Sequence, residues 1–143
     1  MKAIVESAGK VASRTRLGNH ELVFDQPGTV AGGGDRGPSP LDVLAVSVAA
    51  CVHYYAAAVL HGRGLATEGL SVEVEWEKER APSPRLGRFS MKVCLPPGLT
   101  EGQLATVERA IKSCPAYGTL LHPPTVELAI EVAGATTSGE LSA

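Results

Sequence analysis

The sequence predicts an α+β fold, and three observations carry that prediction. Short stretches of alternating apolar residues lie near both ends and in the middle; a run from Pro40 to Leu60 is almost wholly apolar; and Glu101 to Ser113 repeats apolar residues at helical spacing. Strands, one apolar helix, strands, a second helix and a closing strand, with no internal repeat, make α+β rather than a regular βαβ alternation. The fold expected is an antiparallel sheet around a central buried apolar helix. At 143 residues and 44% hydrophobic content the chain is the size of one domain and apolar enough for its own core. Residues 1–132 are read as that single domain, and the small, polar stretch 133–143 as a disordered C-terminal tail.

The first 25 residues read as strands, with Val11 to Leu17 and Glu21 to Phe24 joined through Gly18-Asn19, a turn dipeptide. The next segment, Pro27 to Pro40, holds five glycines and three prolines and is long for a loop in a compact domain, which makes it either mobile or functional. Ser39 is placed to cap the apolar helix, with Pro40 at its first position and Asp42 completing an S-x-x-D pattern. Because this helix carries no polar stripe, it is expected to be covered on all sides. Its length would suffice for a membrane span, but Asp42, His53 and the weakly apolar alanines within it favour a soluble core.

Two alternating strands follow. Val72, Val74 and Trp76 share one face against Glu73, Glu75 and Glu77, while Phe89, Met91, Val93 and Leu95 share a face against Arg88, Ser90 and Lys92. Thr100 with Gln103 forms a capping box, and Leu104, Val107 and Ile111 set the buried face of the second helix, which Pro115 is expected to end. A last strand is expected through Val126, Leu128, Ile130 and Val132. One small sheet and one amphipathic helix cannot cover an all-apolar helix, so a homodimer that sandwiches it against its twin is expected.

A net charge of -2, with 20% charged residues and no basic block, gives no electrostatic footprint for nucleic acid or an anionic membrane. The N-terminal residues lack the apolar stretch and cleavage site of a secretory signal, so a cytoplasmic protein is expected. Three cysteines without a C-x-x-C exclude a disulfide scaffold, a zinc knuckle and a thioredoxin-like site. In a reducing compartment such cysteines are either small hydrophobes or reactive thiols.

Cys51, inside the apolar helix, is by position alone more often a packing residue than a nucleophile. Cys114, followed by Pro115, sits just before a new turn, where backbone N-H groups favour thiolate, although such a pair can also be structural. Cys94 alternates with Arg88, Ser90 and Lys92 and should face away from the core. His53 lies about 200° around the helix from Cys51 and cannot be its base. No metal-ligand spacing is present and no metal or cofactor is expected; the glycine-rich loop also lacks a phosphate-loop lysine.

The stretch Gly32-Gly33-Gly34-Asp35-Arg36-Gly37-Pro38-Ser39-Pro40, the apolar helix reaching Ala50-Cys51, and the later Ser113-Cys114-Pro115-Ala116-Tyr117-Gly118-Thr119-Leu120 resemble the OsmC/Ohr family of hydroperoxide-reducing proteins, in particular its OsmC-like branch. With the element order, the resemblance spans nearly the whole chain. It implies an intertwined homodimer and a thiol peroxidase for organic hydroperoxides. Cys51 would be the peroxidatic cysteine and Cys114 the resolving one, and an external dithiol would reduce the disulfide between them. It also implies an arginine from the N-terminal strands that activates the thiolate, for which Arg16 and Arg14 are the candidates. Asp42 stands near the position of the arginine's usual glutamate partner, but the spacing puts it about 180° around the helix and about 13 Å along it from Cys51; capping is its other role. The family's Cys-Pro-Val-His-Arg-Thr-Leu-like segment is here Cys-Pro-Ala-Tyr-Gly-Thr-Leu, two polar side chains fewer. Those departures suit a different reading, a non-catalytic dimeric module that binds a small apolar ligand or senses redox state.

Overall fold

Local sequence chemistry sets each element, and the computed structural model describes residues 2–132 of the chain. The tail expected to be disordered, 133–143, lies outside the described residues. The elements are β1 (Val5–Ser7), β2 (Ser13–Leu17), β3 (His20–Phe24), α1 (Pro40–Gly62), β4 (Ser71–Glu79), β5 (Arg85–Cys94), α2 (Glu101–Lys112) and α3 (Pro115–Leu121). This is the predicted α+β architecture, but its antiparallel strands fall in two sheets, β1-β2-β3 and β4-β5.

Leu17 pairs with His20 across the Gly18-Asn19 turn, and Gly18 takes a φ of 60°, which a residue with a Cβ rarely adopts. β1 adds a third strand, with Val5 opposite Thr15. The β4-β5 hairpin has the register that alternation implies: Val72 opposite Val93, Val74 opposite Met91 and Trp76 opposite Phe89, with a bulge between Glu77 and Lys78.

The glycine-rich loop is pinned rather than free. Asp25, 2% exposed, accepts from the backbone N-H groups of Gln26, Gly34 and Arg36 at 2.8, 3.1 and 3.2 Å. A Cβ on Gly33 would strike the Pro27 carbonyl oxygen, and one on Gly37 that of Val23, so only glycine fits either position. Arg36 also donates to the Ala8 carbonyl at 2.6 Å, tying the loop to the N-terminal sheet.

Ser39 caps α1 by accepting from the Asp42 N-H at 3.3 Å, and Thr100 and Gln103 form the reciprocal capping box of α2. α1 packs against α2, β4, α3 and β5. Ala56 and Leu60 of α1 meet Val107 of α2 at the centre of the core, with Val59, Leu65, Leu70, Leu95, Leu99 and Ile111 around them.

Three expectations change. α1 is covered on one side only: Ala45, Val48, Ala49, Val52, Ala56 and Leu60 are buried, whereas Leu44, Val46 and Tyr54 stand exposed. One chain has too few elements to wrap the helix. The segment from Pro115 to Leu121, to which no element was assigned from the sequence, is α3, begun by Pro115, whose fixed φ suits a first helical position. Of the alternating residues Val126, Leu128, Ile130 and Val132, only Val132 makes so much as an isolated β-bridge; the expected strand does not form among the described residues, and all four are exposed. Likewise the β1-β2-β3 sheet makes at most marginal contact with the helices or the β4-β5 hairpin.

Candidate active site

Cys51 sits mid-way along α1, and Cys114 is the residue that ends the turn after α2 and caps α3. Since α1 packs on both α2 and α3, the two cysteines meet although they are 63 residues apart in sequence. Their sulfurs are 2.8 Å apart, with the Cys114 thiol donating to Cys51 Sγ, and both cysteines are free. The pair is asymmetric. Cys114 is 1% exposed, while Cys51 is only half-buried and lies beside exposed Ala50 and Tyr54.

Burial pushes the Cys114 thiol above its ordinary range and the neighbouring Cys51 sulfur pushes it further, against a smaller opposing pull from the backbone N-H groups of Tyr117 and Ala116. Cys114 therefore tends to keep its proton, consistent with its place as the donor of the pair. A disulfide bond, about 2.05 Å long, is within reach of small side-chain rotations from this geometry. The arrangement can store and release two electrons without a metal ligand set; among the described residues no three His, Cys, Asp or Glu side chains gather as one.

The other candidates lie elsewhere. Cys94 ends β5 opposite Ser71 and is exposed, facing away from the core as its alternation implied. Arg14 and Arg16 sit on β2, where they pair with Glu6 at 4.0 Å and Glu21 at 3.7 Å, on the sheet that stands apart from α1. Asp42 is occupied by other partners: Ser39 Oγ donates to its Oδ2 at 2.6 Å, Trp76 Nε1 donates to Oδ1 at 3.0 Å, and Lys78 Nζ lies 2.9 Å from the same oxygen. These bonds tie the start of α1 to β4, and none reaches a sulfur. Trp76 and Lys78 were not singled out as partners of Asp42. A signal did exist, because Lys78 follows Val72, Val74 and Trp76 in the same alternation and breaks an otherwise apolar face. Tyr54 and Tyr55, one turn beyond Cys51, form an edge-to-face pair with ring centres 5.5 Å apart.

The OsmC-like protein family model matches residues 32–129, from the glycine-rich loop through both cysteines to the apolar C-terminal segment. The chain belongs to the OsmC-like family. No curated protein matches it in sequence. Among solved structures, it is similar to a protein of Psychrobacter arcticus named for osmotic stress induction and a detoxification response, with 21% identity, a TM-score of 0.72, and coverage of 86% of this chain and 89% of that one. An OsmC-like protein of Mycoplasma pneumoniae matches at 18% identity and a TM-score of 0.67, covering 85% and 87%. The organic hydroperoxide resistance protein OsmC of Legionella pneumophila matches at 19% identity and 0.58, covering 85% and 88%. At such identities the likeness is one of fold. It accounts for α1 as the core helix of an OsmC-like fold, although by length and composition alone the helix could cross a bilayer.

Proposed function

We propose that this OsmC-like protein is a cytoplasmic cysteine-based peroxidase that reduces organic hydroperoxides, acting as a homodimer. The observation that carries the reading is the 2.8 Å approach of Cys51 and Cys114 with only Cys51 open to solvent. The name of the Legionella relative points to the same chemistry. Cys51, as thiolate, attacks the distal oxygen of ROOH. The O-O bond breaks, the alkoxide takes a proton and leaves as ROH, and Cys51 is left as a sulfenic acid. The Cys114 sulfur then displaces water from it, and a disulfide forms. Two electrons and two protons from an external dithiol restore both thiols. The apolar surroundings of Cys51, with the Tyr54-Tyr55 pair beside it, suit an organic hydroperoxide better than hydrogen peroxide.

Dimerisation is supported by three uncovered apolar surfaces: the outer side of α1, the stretch 126–132, and the β1-β2-β3 face where Val5 and Leu22 flank Thr15. A second copy is the partner that could bring Arg14 or Arg16 toward a thiolate from which its own chain keeps it apart. The direct test gives the reduced protein one equivalent of cumene hydroperoxide and maps its cysteines by peptide mass. A Cys51 to Cys114 disulfide is the expected product. Cysteines that stay reduced with every peroxide tried would leave a non-catalytic ligand-binding or redox-sensing module as the reading.

A further inference from the structure

The peroxidase reading needs Cys51 as a thiolate, and α1 by itself offers that charge no partner. Cys51 lies mid-helix, where the backbone N-H groups are already bonded within the helix. Charges on the packed elements are engaged elsewhere: Asp42 of α1 with Lys78 of β4, Glu108 with Lys112 on α2, and Glu77 and Glu79 of β4 with Arg88 and Arg85 of β5. Glu73, Glu75 and Lys92 lie exposed on the hairpin face opposite Val72 and Val74, Glu101 and Arg109 are exposed on α2, and His53 and His61 are exposed on α1. Tyr54 and Tyr55 pack on each other, and α3 carries no charged side chain, only Tyr117, with His122 exposed beyond its end. What does reach Cys51 Sγ is the Cys114 thiol, 2.8 Å away and donating. We infer that Cys114 has a second role before it resolves the sulfenic acid: its S-H holds Cys51 as thiolate, and the reduced pair carries one shared proton. This rests on the peroxidase reading for its purpose, but not for its test.

Cys114 is 1% exposed within its own chain, and a second copy cannot lessen that cover, so its ionised form would lack solvent. Burial first, and the bond to Cys51 second, keep its proton in place against a smaller pull from the Tyr117 and Ala116 N-H groups. Two thiolates 2.8 Å apart would also repel, so once one sulfur is charged the other stays protonated. The anion therefore falls to Cys51. The protons balance through the reaction. Cys51 gives its own to solvent, and Cys114 keeps its own while Cys51 is anionic. Once peroxide has oxidised Cys51 to the sulfenic acid, the charge that held the Cys114 proton is gone. Cys114 Sγ then bonds to Cys51 Sγ, the S-O bond breaks, and the proton leaves with the hydroxyl as water. One sulfur-to-sulfur contact thus serves first as a hydrogen bond and then as the disulfide.

The test uses alkylation, not peroxide. In a Cys94→Ser background, the rate at which iodoacetamide labels Cys51 is followed by peptide mass across about pH 5–11, a range that brackets thiol titration. The parent pair, Cys114→Ala and Cys114→Ser are compared. A hydrogen bond to a charged acceptor moves a titration by about one to two pH units, so Cys114→Ala should raise the midpoint of Cys51 labelling by that much. Cys114→Ser, whose hydroxyl donates in the same place, should recover most of the shift. Above both midpoints the alanine variant should label at least as fast as the parent, because a thiolate freed of its hydrogen bond is the stronger nucleophile. A merely distorted site would be slower at every pH. An unmoved midpoint in Cys114→Ala, or equal midpoints in the alanine and serine variants, overturns the inference. The parent pair supplies a check that needs no change at Cys114: its ultraviolet thiolate absorbance should rise in two well-separated steps, one thiolate in each, and a single step of two thiolates overturns the inference as well. If labelling follows the expected pattern while cumene hydroperoxide forms no disulfide, the shared proton stands and only the peroxidase reading falls.

Discussion

At the scale of single residues, the three cysteines separate by place and so by expected role. Cys51→Ser should abolish peroxide consumption, because a serine hydroxyl is no nucleophile toward peroxide at its free pKa. Cys114→Ser should permit one turnover and then strand Cys51 as sulfenate, which further peroxide drives to sulfinic and sulfonic acids. Cys94, exposed at the end of β5, should be replaceable by serine within about 0.5 kcal/mol of parental stability and with no loss of rate. Peroxide-consumption assays with intact-mass measurement read all three variants side by side. Full turnover by Cys51→Ser, with loss in Cys94→Ser, would sink the assignment. Spacing and motif made the two cysteines candidates, but their different burial was not legible. That difference arises from where α3 packs against α1, and α3 is too short to announce itself by periodicity.

At the scale of elements, the start of α1 shows how one side chain joins local and tertiary structure. Asp42 was readable as part of a cap, and it is one; its bonds to Trp76 and Lys78 also fasten the helix to β4. Hydrogen bonds from Ser39 first, then Lys78 and Trp76, hold its carboxyl below the ordinary value of 3.8, against a partial desolvation. A lowered folded-state pKa means that the contribution is present above the ordinary value and is lost as pH falls through the lower, folded one. Asp42→Asn should therefore be less stable than the parent at neutral pH, and the gap should close as the pH drops below that of the folded carboxyl. Urea melts across that range check this, and a gap constant with pH would show that the charge is irrelevant. Ser39→Ala should cost about 1 kcal/mol through the lost cap.

At the scale of the whole molecule, the unsatisfied surfaces set the expectation. Only 33% of the most apolar window of α1 is buried within one chain, and Val126 is 83% exposed. Covering Leu44, Val46 and Tyr54 would each contribute about 1.5–3 kcal/mol. Light scattering should accordingly give a dimer mass, and Val46→Lys combined with Tyr54→Lys should shift it toward monomer. A well-folded, soluble monomer of the parent chain would refute the dimer. Arg14→Ala and Arg16→Ala probe the same assembly by another route. One of them should slow Cys51 oxidation by stopped-flow at nearly unchanged stability, since exposed ion pairs contribute only about 0–1 kcal/mol. Parental rates in both would remove the arginines from the mechanism.

By itself, the sequence determined what local rules can reach. The alternation of β4 and β5, the caps of α1 and α2, the turn at Gly18-Asn19 and the two cysteine motifs are all written in residues close together along the chain. Only tertiary structure decided the rest. Val126 to Val132 has the pattern of a strand, yet pattern supplies side-chain faces and not a partner for backbone hydrogen bonds, and among the described residues it makes no more than an isolated bridge at Val132. The apolar residues around α1 likewise fix that it will be covered, but not by what. The meeting of Cys51 and Cys114 depends on α1 crossing α2 and α3, a long-range packing choice that no local window contains.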